Sequence, residues 1–293
     1  MNMTNEELLN LFEKTALGKP FKLSANTVDR YLYYINQLVV VSKKEIVDIT
    51  KADIKSFLMG LDSSDSYYNA NLSAFRTLYK VLGYHPLTED TFTFDPTFGI
   101  INIKNVQNKK EQIILSSYQQ AMMLKYAKNS RDKAILQLYL SCGLRCHELI
   151  ALTLSQYNNR SEDNCIELTV TKGSHNRNIW LSEDVVEAID KYLADRKESD
   201  CDNLFISNGG VPMDRTCISR TLKTIARRSG VFSDEEVNMI ANHSMRRSVS
   251  STLLNEKDVP IDVVAKFLGH SNLGSVLRYA KTNEDRVKSA MIG

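Results

Sequence analysis

The sequence predicts a mainly α protein with one small antiparallel β-sheet, divided into a helical first domain and a mixed α/β second domain. Three observations predict it. Helical stripes run through the first 85 residues, that period fails across a stretch bearing Pro86, Pro96 and Gly99, and a strand–turn–strand pattern interrupts the helices that follow. With 293 residues, 43% of them hydrophobic and 25% charged, the chain is long enough to bury a core in each of two domains.

In order along the chain, residues 24–41 place Val28, Tyr31, Leu32, Ile35, Leu38 and Val39 on one helical stripe, with Ser24 as N-cap. The next helix begins at Thr50, which caps it with Asp53 three residues on, and Ile54, Phe57, Leu58 and Leu61 form its apolar face. A third helix over 66–82 repeats the pattern through Tyr68, Leu72, Phe75, Tyr79 and Leu82, so residues 1–85 read as a closed helical bundle. Residues 86–112 carry no sustained period and include Lys109 and Lys110, which reads as an extended linker before a second domain over 113–293. There, Ser116 or Ser117 caps a helix reaching Lys128, and another runs from Ser130 to Ser141 and stops at Gly143. Alternation on both sides of Gly173, in NCIELTVTKGSHNRNIWLS, predicts a β-hairpin. From Pro212 onward the pattern is helical apart from turns.

Composition bounds the partners. A net charge of +2 does not by itself mark a nucleic-acid binder, so any basic surface must come from clustering. Apolar runs such as INQLVVV at 35–41 fall short of the roughly 20 residues a bilayer requires, and Met1–Thr15 is acidic and polar, unlike a signal peptide. The expectation is a cytoplasmic protein with no membrane partner. Five cysteines, an odd number, suit a reducing compartment. Cys142, Cys146 and His147 lack a second ligand pair at zinc spacing, so no metal is assigned.

Four stretches carry candidate chemistry. In GLRCHEL, Gly143 ends one helix and Arg145 starts the next, either as an anion site at a helix N-terminus or in a surface ion pair with Glu148. Lys172 stands at the hairpin turn, where a solvated lysine is equally ordinary. In NHSMRRS, His243 and Arg246 share a helical flank while Met245, Val249 and Leu253 take the core side; the flank suits a site, a cap or plain solvent. In LGHSNLGSVLRY, His270 follows the turn glycine, and Tyr279 lies at the margin of the face made by Leu273, Val276, Leu277 and Ala280, half-buried or pointing its hydroxyl into a cleft. Together these positions hold a single acid, Glu148, which is too few carboxylates for a two-metal nuclease. Cations around an ionisable hydroxyl suit metal-free displacement at a phosphodiester.

These motifs resemble the tyrosine recombinase (integrase) family of DNA breaking and rejoining enzymes, whose GLRxxEL, hairpin lysine, HxxR and LGHxxxxxxxxY are all filled here in order. The resemblance implies a helical core-binding, SAM-like domain followed by a mixed α/β catalytic domain. It implies that Tyr279 attacks the phosphate and keeps the 3′ phosphate, that Arg145 and Arg246 clamp it, and that Lys172 protonates the leaving 5′ oxygen. His243 then serves as base or hydrogen-bond partner of the phenol, His270 donates to the phosphate, and Glu148 orients its neighbours. No metal and no cofactor is implied. Arg247 and Lys281 stand where the family often has histidine, and neither receives a role.

The implied partners are double-stranded DNA with an inverted-repeat core site, a homotetramer on that DNA, and in some systems a second recombinase. An independent local reading agrees: over 213–230, Arg220, Lys223 and Arg227 share one face opposite Ile218, Leu222, Ile225 and Ala226, a stripe fit for phosphates or for solvent. Two rival functions share these residues or the fold. One is a type IB topoisomerase that relaxes supercoils, and the other is a non-catalytic DNA-binding regulator.

Overall fold

The computed structural model describes residues 3–103, 113–168, 176–269 and 274–277. The chain forms two compact units, Met1–Lys110 and Glu111–Gly293.

The first unit is built on α1 (Asn5–Leu17), α2 (Ala25–Ser42), α3 (Lys51–Met59) and α4 (Asp65–Leu82). Ser24 caps α2 through the Thr27 amide, and the Thr50–Asp53 capping box opens α3 as the spacing predicts. The expected stripe of α2 is buried at Val28, Ile35 and Leu38, and Tyr34 joins it. Helix α1 goes beyond the sequence expectation. Its acidic opening is the Thr4–Glu7 capping box, and Leu8, Phe12 and Ala16, spaced by four, carry it into the core. The expected extended linker over 86–112 is corrected in its first part. Phe92 and Ile100 are buried in the core of the bundle, Thr88 Oγ1 donates to the Leu82 carbonyl at 2.6 Å, and Asn69 exchanges two hydrogen bonds with the backbone of Ile103. Arg76 extends the attachment, its Nη1 donating to Asn102 Oδ1 at 2.6 Å and its Nη2 to the Ile100 carbonyl. A segment without periodicity still packs when turns and side chains satisfy its backbone. Lys109 and Lys110 lie outside the described residues.

The second unit runs α5 (Ser117–Tyr126), α6 (Ser130–Cys142), α7 (Cys146–Ala151), α8 (Leu154–Asn158), β1 (Cys165–Leu168), β2 (Arg177–Trp180) and α9 (Glu183–Asp195), then α10 (Arg215–Ser229), α11 (Asp234–Met239), α12 (Asn242–Asn255), α13 (Ile261–Leu268) and α14 (Gly274–Leu277). Helix α6 is the central element: Ala134, Ile135, Leu136, Leu138 and Tyr139 are all buried, and it packs on α9 and α12. Ser116 caps α5 with Gln119 completing the box. β1 and β2 pair antiparallel with Cys165 opposite Trp180 and Leu168 opposite Arg177, the two arms of the expected hairpin. Ile166, Leu168 and Ile179 face inward, and so does Arg177, while Trp180 is 58% exposed. Cys142 and Cys146 are buried packing residues; burial pushes the Cys142 thiol up to about 12, and it donates to the Trp180 carbonyl.

Two glycines fix where the elements meet. Gly143 ends α6 at φ 56°, and a Cβ there would lie 2.7 Å from Leu268 Cδ2, so α13 rests directly on this cap. Gly269 ends α13 at φ 64°. Leu268, Val264, Ala265, Leu254 and Val276 form a small separate core that holds α13 and α14 to the end of α12. The expected shared face of α14 is corrected: Val276 is buried but Leu277 is 57% exposed, because the short helix turns only one side to that core. Leu273 and Ala280 lie outside the described residues.

Candidate active site

The site begins with what caps α7. Arg145 is its N-cap residue, and its backbone amide donates to Glu148 Oε2 at 2.6 Å while its Nη1 donates to Glu148 Oε1 at 2.8 Å. One carboxylate thus satisfies an orphan amide and orients a guanidinium. The alternative of a surface ion pair is corrected, since the Glu148 side chain is 1% exposed. Burial drives its carboxyl pKa up, but hydrogen bonds and charge from Arg177, with those from Arg145, outweigh burial and hold it below the ordinary 4.5. It is a carboxylate at neutral pH.

Three arginines then close on the end of α13. Arg145 Nη2 donates to the Gly269 carbonyl at 2.7 Å, Arg246 Nη2 to the Leu268 carbonyl, and Arg177 Nη1 to the Phe267 carbonyl at 2.5 Å. These are consecutive carbonyls at a helix C-terminus, where partial negative charge collects and backbone acceptors lack helical partners. Arg246 also donates to the Gly143 carbonyl at 2.6 Å, which ties it to the cap preceding Arg145. The sequence placed Arg246 on a helical flank, whereas it is buried with 5% exposure, inside the core side that Met245 and Val249 also occupy. Arg145, by contrast, keeps 23% of its side chain exposed at the mouth of this cluster.

His243 stands exposed in the first turn of α12. Partial burial and the neighbouring charges of Arg247, Arg215, Arg246 and Arg145 lower its pKa below the ordinary 6.5. The imidazole is therefore neutral at pH 7 and able to accept a proton. Four guanidiniums, those of Arg247, Arg215, Arg246 and Arg145, thus act on this one imidazole.

Lys172, His270 and Tyr279 lie outside the described residues. Of the stripe on α10, Arg220 and Arg227 are exposed, while Lys223 Nζ donates to the Asn238 carbonyl at 3.0 Å; Ile218, Leu222, Ile225 and Ala226 are buried opposite them. Among the described residues no three His, Cys, Asp or Glu side chains group closely enough to hold a metal ion. No helix among them is long and apolar enough to cross a membrane.

Arg177 is the residue that motif reading missed. In a strand pattern it occupies an inward position normally apolar, explained by its buried partner Glu148, 2.9 Å from its Nη2, and by the Phe267 carbonyl that its Nη1 holds. The available signal was an arginine in phase with Ile179 on the buried face of the second strand.

Residues 113–286 match the phage integrase family, and residues 10–89 match the N-terminal SAM-like domain of phage integrases. Tyrosine recombinase XerD of Proteus mirabilis is 28% identical over 282 residues, covering 91% of this chain and 86% of its own. The fold is shared with the Tn1549 transposon integrase solved in complex with circular intermediate DNA, at TM-score 0.69 and 19% identity with 100% of both chains covered. It is shared also with the XerH site-specific recombinase bound to a palindromic difH substrate in a post-cleavage complex, at TM-score 0.67 and 17% identity over 99% of this chain and 97% of that one. Matched through most of its second unit and again through its first, the chain belongs to the phage integrase family of tyrosine recombinases.

Proposed function

We propose that the chain is a site-specific DNA recombinase that cuts and rejoins duplex DNA through a 3′-phosphotyrosine intermediate and a Holliday junction. The observation that carries this reading is the convergence of Arg145 and Arg246 on adjacent carbonyls, Gly269 and Leu268, immediately before His270. Two guanidinium groups held side by side suit the non-bridging oxygens of one phosphate, whose charge grows as the phosphorus becomes five-coordinate.

In the proposed reaction the phenol oxygen of Tyr279 attacks phosphorus and the bond to the 5′ oxygen breaks. Neutral His243 takes or shares the phenol proton, Lys172 delivers a proton to the departing 5′ oxygen, and His270 donates to the phosphate. Glu148 acts through Arg145, holding it without transferring a proton. Attack by a 5′ hydroxyl from the partner duplex reverses each step and reseals the strand, so the phosphotyrosine conserves the bond energy and no cofactor enters. Lys109, Lys110, Arg220, Lys223 and Arg227 would hold flanking phosphates, Lys223 through a side chain that also braces α11.

The proposed assembly is a homotetramer on two inverted-repeat core sites, in the cytoplasm, of the kind that resolves dimers, resolves transposition products or inverts a segment. The test is a nicked duplex carrying the site, with arms expected at about 11 base pairs. Wild type should trap a covalent complex and Tyr279→Phe should not. A Tyr279→Phe protein that still forms the adduct removes the nucleophile, and a wild type that relaxes plasmid without exchanging strands supports a topoisomerase.

A further inference from the structure

We propose that Arg177 is a positioning residue of the reaction, the third arginine of the assembly that sets the phosphate clamp; this rests on the recombinase reading above. Arg177 joins three chain segments that are distant in sequence. Its backbone opens β2, its Nη2 holds Glu148 Oε2 at 2.9 Å, and its Nη1 holds the Phe267 carbonyl at 2.5 Å. Glu148 lies between two guanidiniums, one oxygen toward Arg145 and the other toward Arg177. Without Arg177 the carboxylate would keep one cationic partner and gain freedom to rotate, and the Phe267 carbonyl would lose its donor.

Gly269 lies against both cations, since a Cβ on it would come 2.7 Å from Arg177 Cδ and 3.7 Å from Arg145 Nη1. Arg177 thus forms the wall on which the turn before His270 rests. Its side chain is 7% exposed, so it orients groups that meet DNA without itself being open to solvent. Serving two buried acceptors at once, Glu148 Oε2 and the Phe267 carbonyl, depends on the planar fork of arginine, which a lysine ammonium reproduces only in charge.

The experiment measures covalent-complex formation by full-length Arg177→Met and Arg177→Lys proteins on two nicked duplexes. One carries the ordinary phosphodiester, and the other a bridging sulfur at the 5′ position, whose thiolate leaves without an acid. In parallel, the rise in melting temperature with inorganic phosphate reads the clamp apart from chemistry.

Arg177→Met should be slower by about 10²-fold on both duplexes, the typical loss when a change away from the reacting atoms misplaces the groups that meet them, and should lose the phosphate-induced rise. Arg177→Lys should regain part of each. Recovery of Arg177→Met on the sulfur duplex overturns the proposal, because Arg177 would then act on the leaving group through the hairpin. Wild-type rates in Arg177→Met also overturn it. Should that variant fail to fold, Arg177→Lys carries the same test, with slowing on both duplexes expected and selective sulfur rescue or full activity overturning the idea. A wild type that forms no adduct with either duplex sinks the recombinase reading alone. The phosphate arm then decides for Arg177: a rise in wild type that Arg177→Met lacks supports it, and no rise in wild type, or the same rise in Arg177→Met, overturns it.

Discussion

Glu148 shows how a single buried carboxylate can hold two guanidiniums at once. Its removal by Glu148→Ala leaves Arg145 and Arg177 without their anionic partner in a buried site, so unfolding in urea should show a loss of about 3–5 kcal/mol. An unchanged midpoint would mean that water replaces the carboxylate at no cost. Acid should act on the same residue. Because the folded carboxyl has a lowered pKa, its contribution is complete above the ordinary 4.5 and is lost as pH falls through the folded value. His243 has the same sign at higher pH. Its folded pKa is lowered from 6.5, so the unfolded chain takes up the proton first and stability declines as pH falls below the neutral range. His243→Gln should flatten the slope of the urea midpoint between pH 7 and pH 5.5, and an unaltered slope would exclude the imidazole as its source. At this scale the sequence revealed residue types better than their setting. Arg145, Glu148 and Arg246 were legible as motifs, but a short spacing cannot tell a surface pair from a buried network. Arg177 was hidden because its partners, Glu148 and the Phe267 carbonyl, are 29 and 90 residues away in the chain.

Helix ends explain most of what was legible among the elements. Ser24, Thr50 and Ser116 cap the helices they were expected to cap, since a side-chain oxygen bonding an amide two or three residues on is a purely local event. The segment after α4 was misjudged for the opposite reason: Phe92 and Ile100 are held by contacts with the bundle that no periodicity announces. The junction of α6 with α13 is similarly non-local, and it makes a sharp prediction. Gly143→Ala puts a Cβ 2.7 Å from Leu268 Cδ2 at a positive φ, so the variant should lose about 1–2 kcal/mol from backbone strain alone and more from the clash. Because α13 carries the carbonyls that three arginines hold, adduct formation should fall further than stability accounts for. Full activity in the folded fraction would show that the site tolerates a shifted α13. On α10, Arg220→Gln and Arg227→Gln should each lower the slope of log affinity against log salt by about 0.9 if each neutralises one duplex phosphate. A slope that does not change leaves that face to solvent.

At the level of the whole chain, the two units have separate cores, one from Leu8 to Ile100 and another from Leu115 to Met245. Two units that share no core predict two calorimetric transitions, and Leu72→Ala, which opens a cavity in the first, should lower one by about 2–5 kcal/mol of unit stability and leave the other in place. A single transition that moves as a whole would show the units unfolding together. The division into a helical and a mixed unit was readable from the change in periodicity, whereas the packing of the intervening residues was not. One feature of β2 gives the chain an optical label of its own. Trp180 is the sole tryptophan, stands three residues from Arg177 on the same strand, and presents its indole largely to water. Emission excited at the red edge of the protein absorption therefore comes from this one strand, so events around the arginine cluster can be followed in solution, in real time, without attaching a dye.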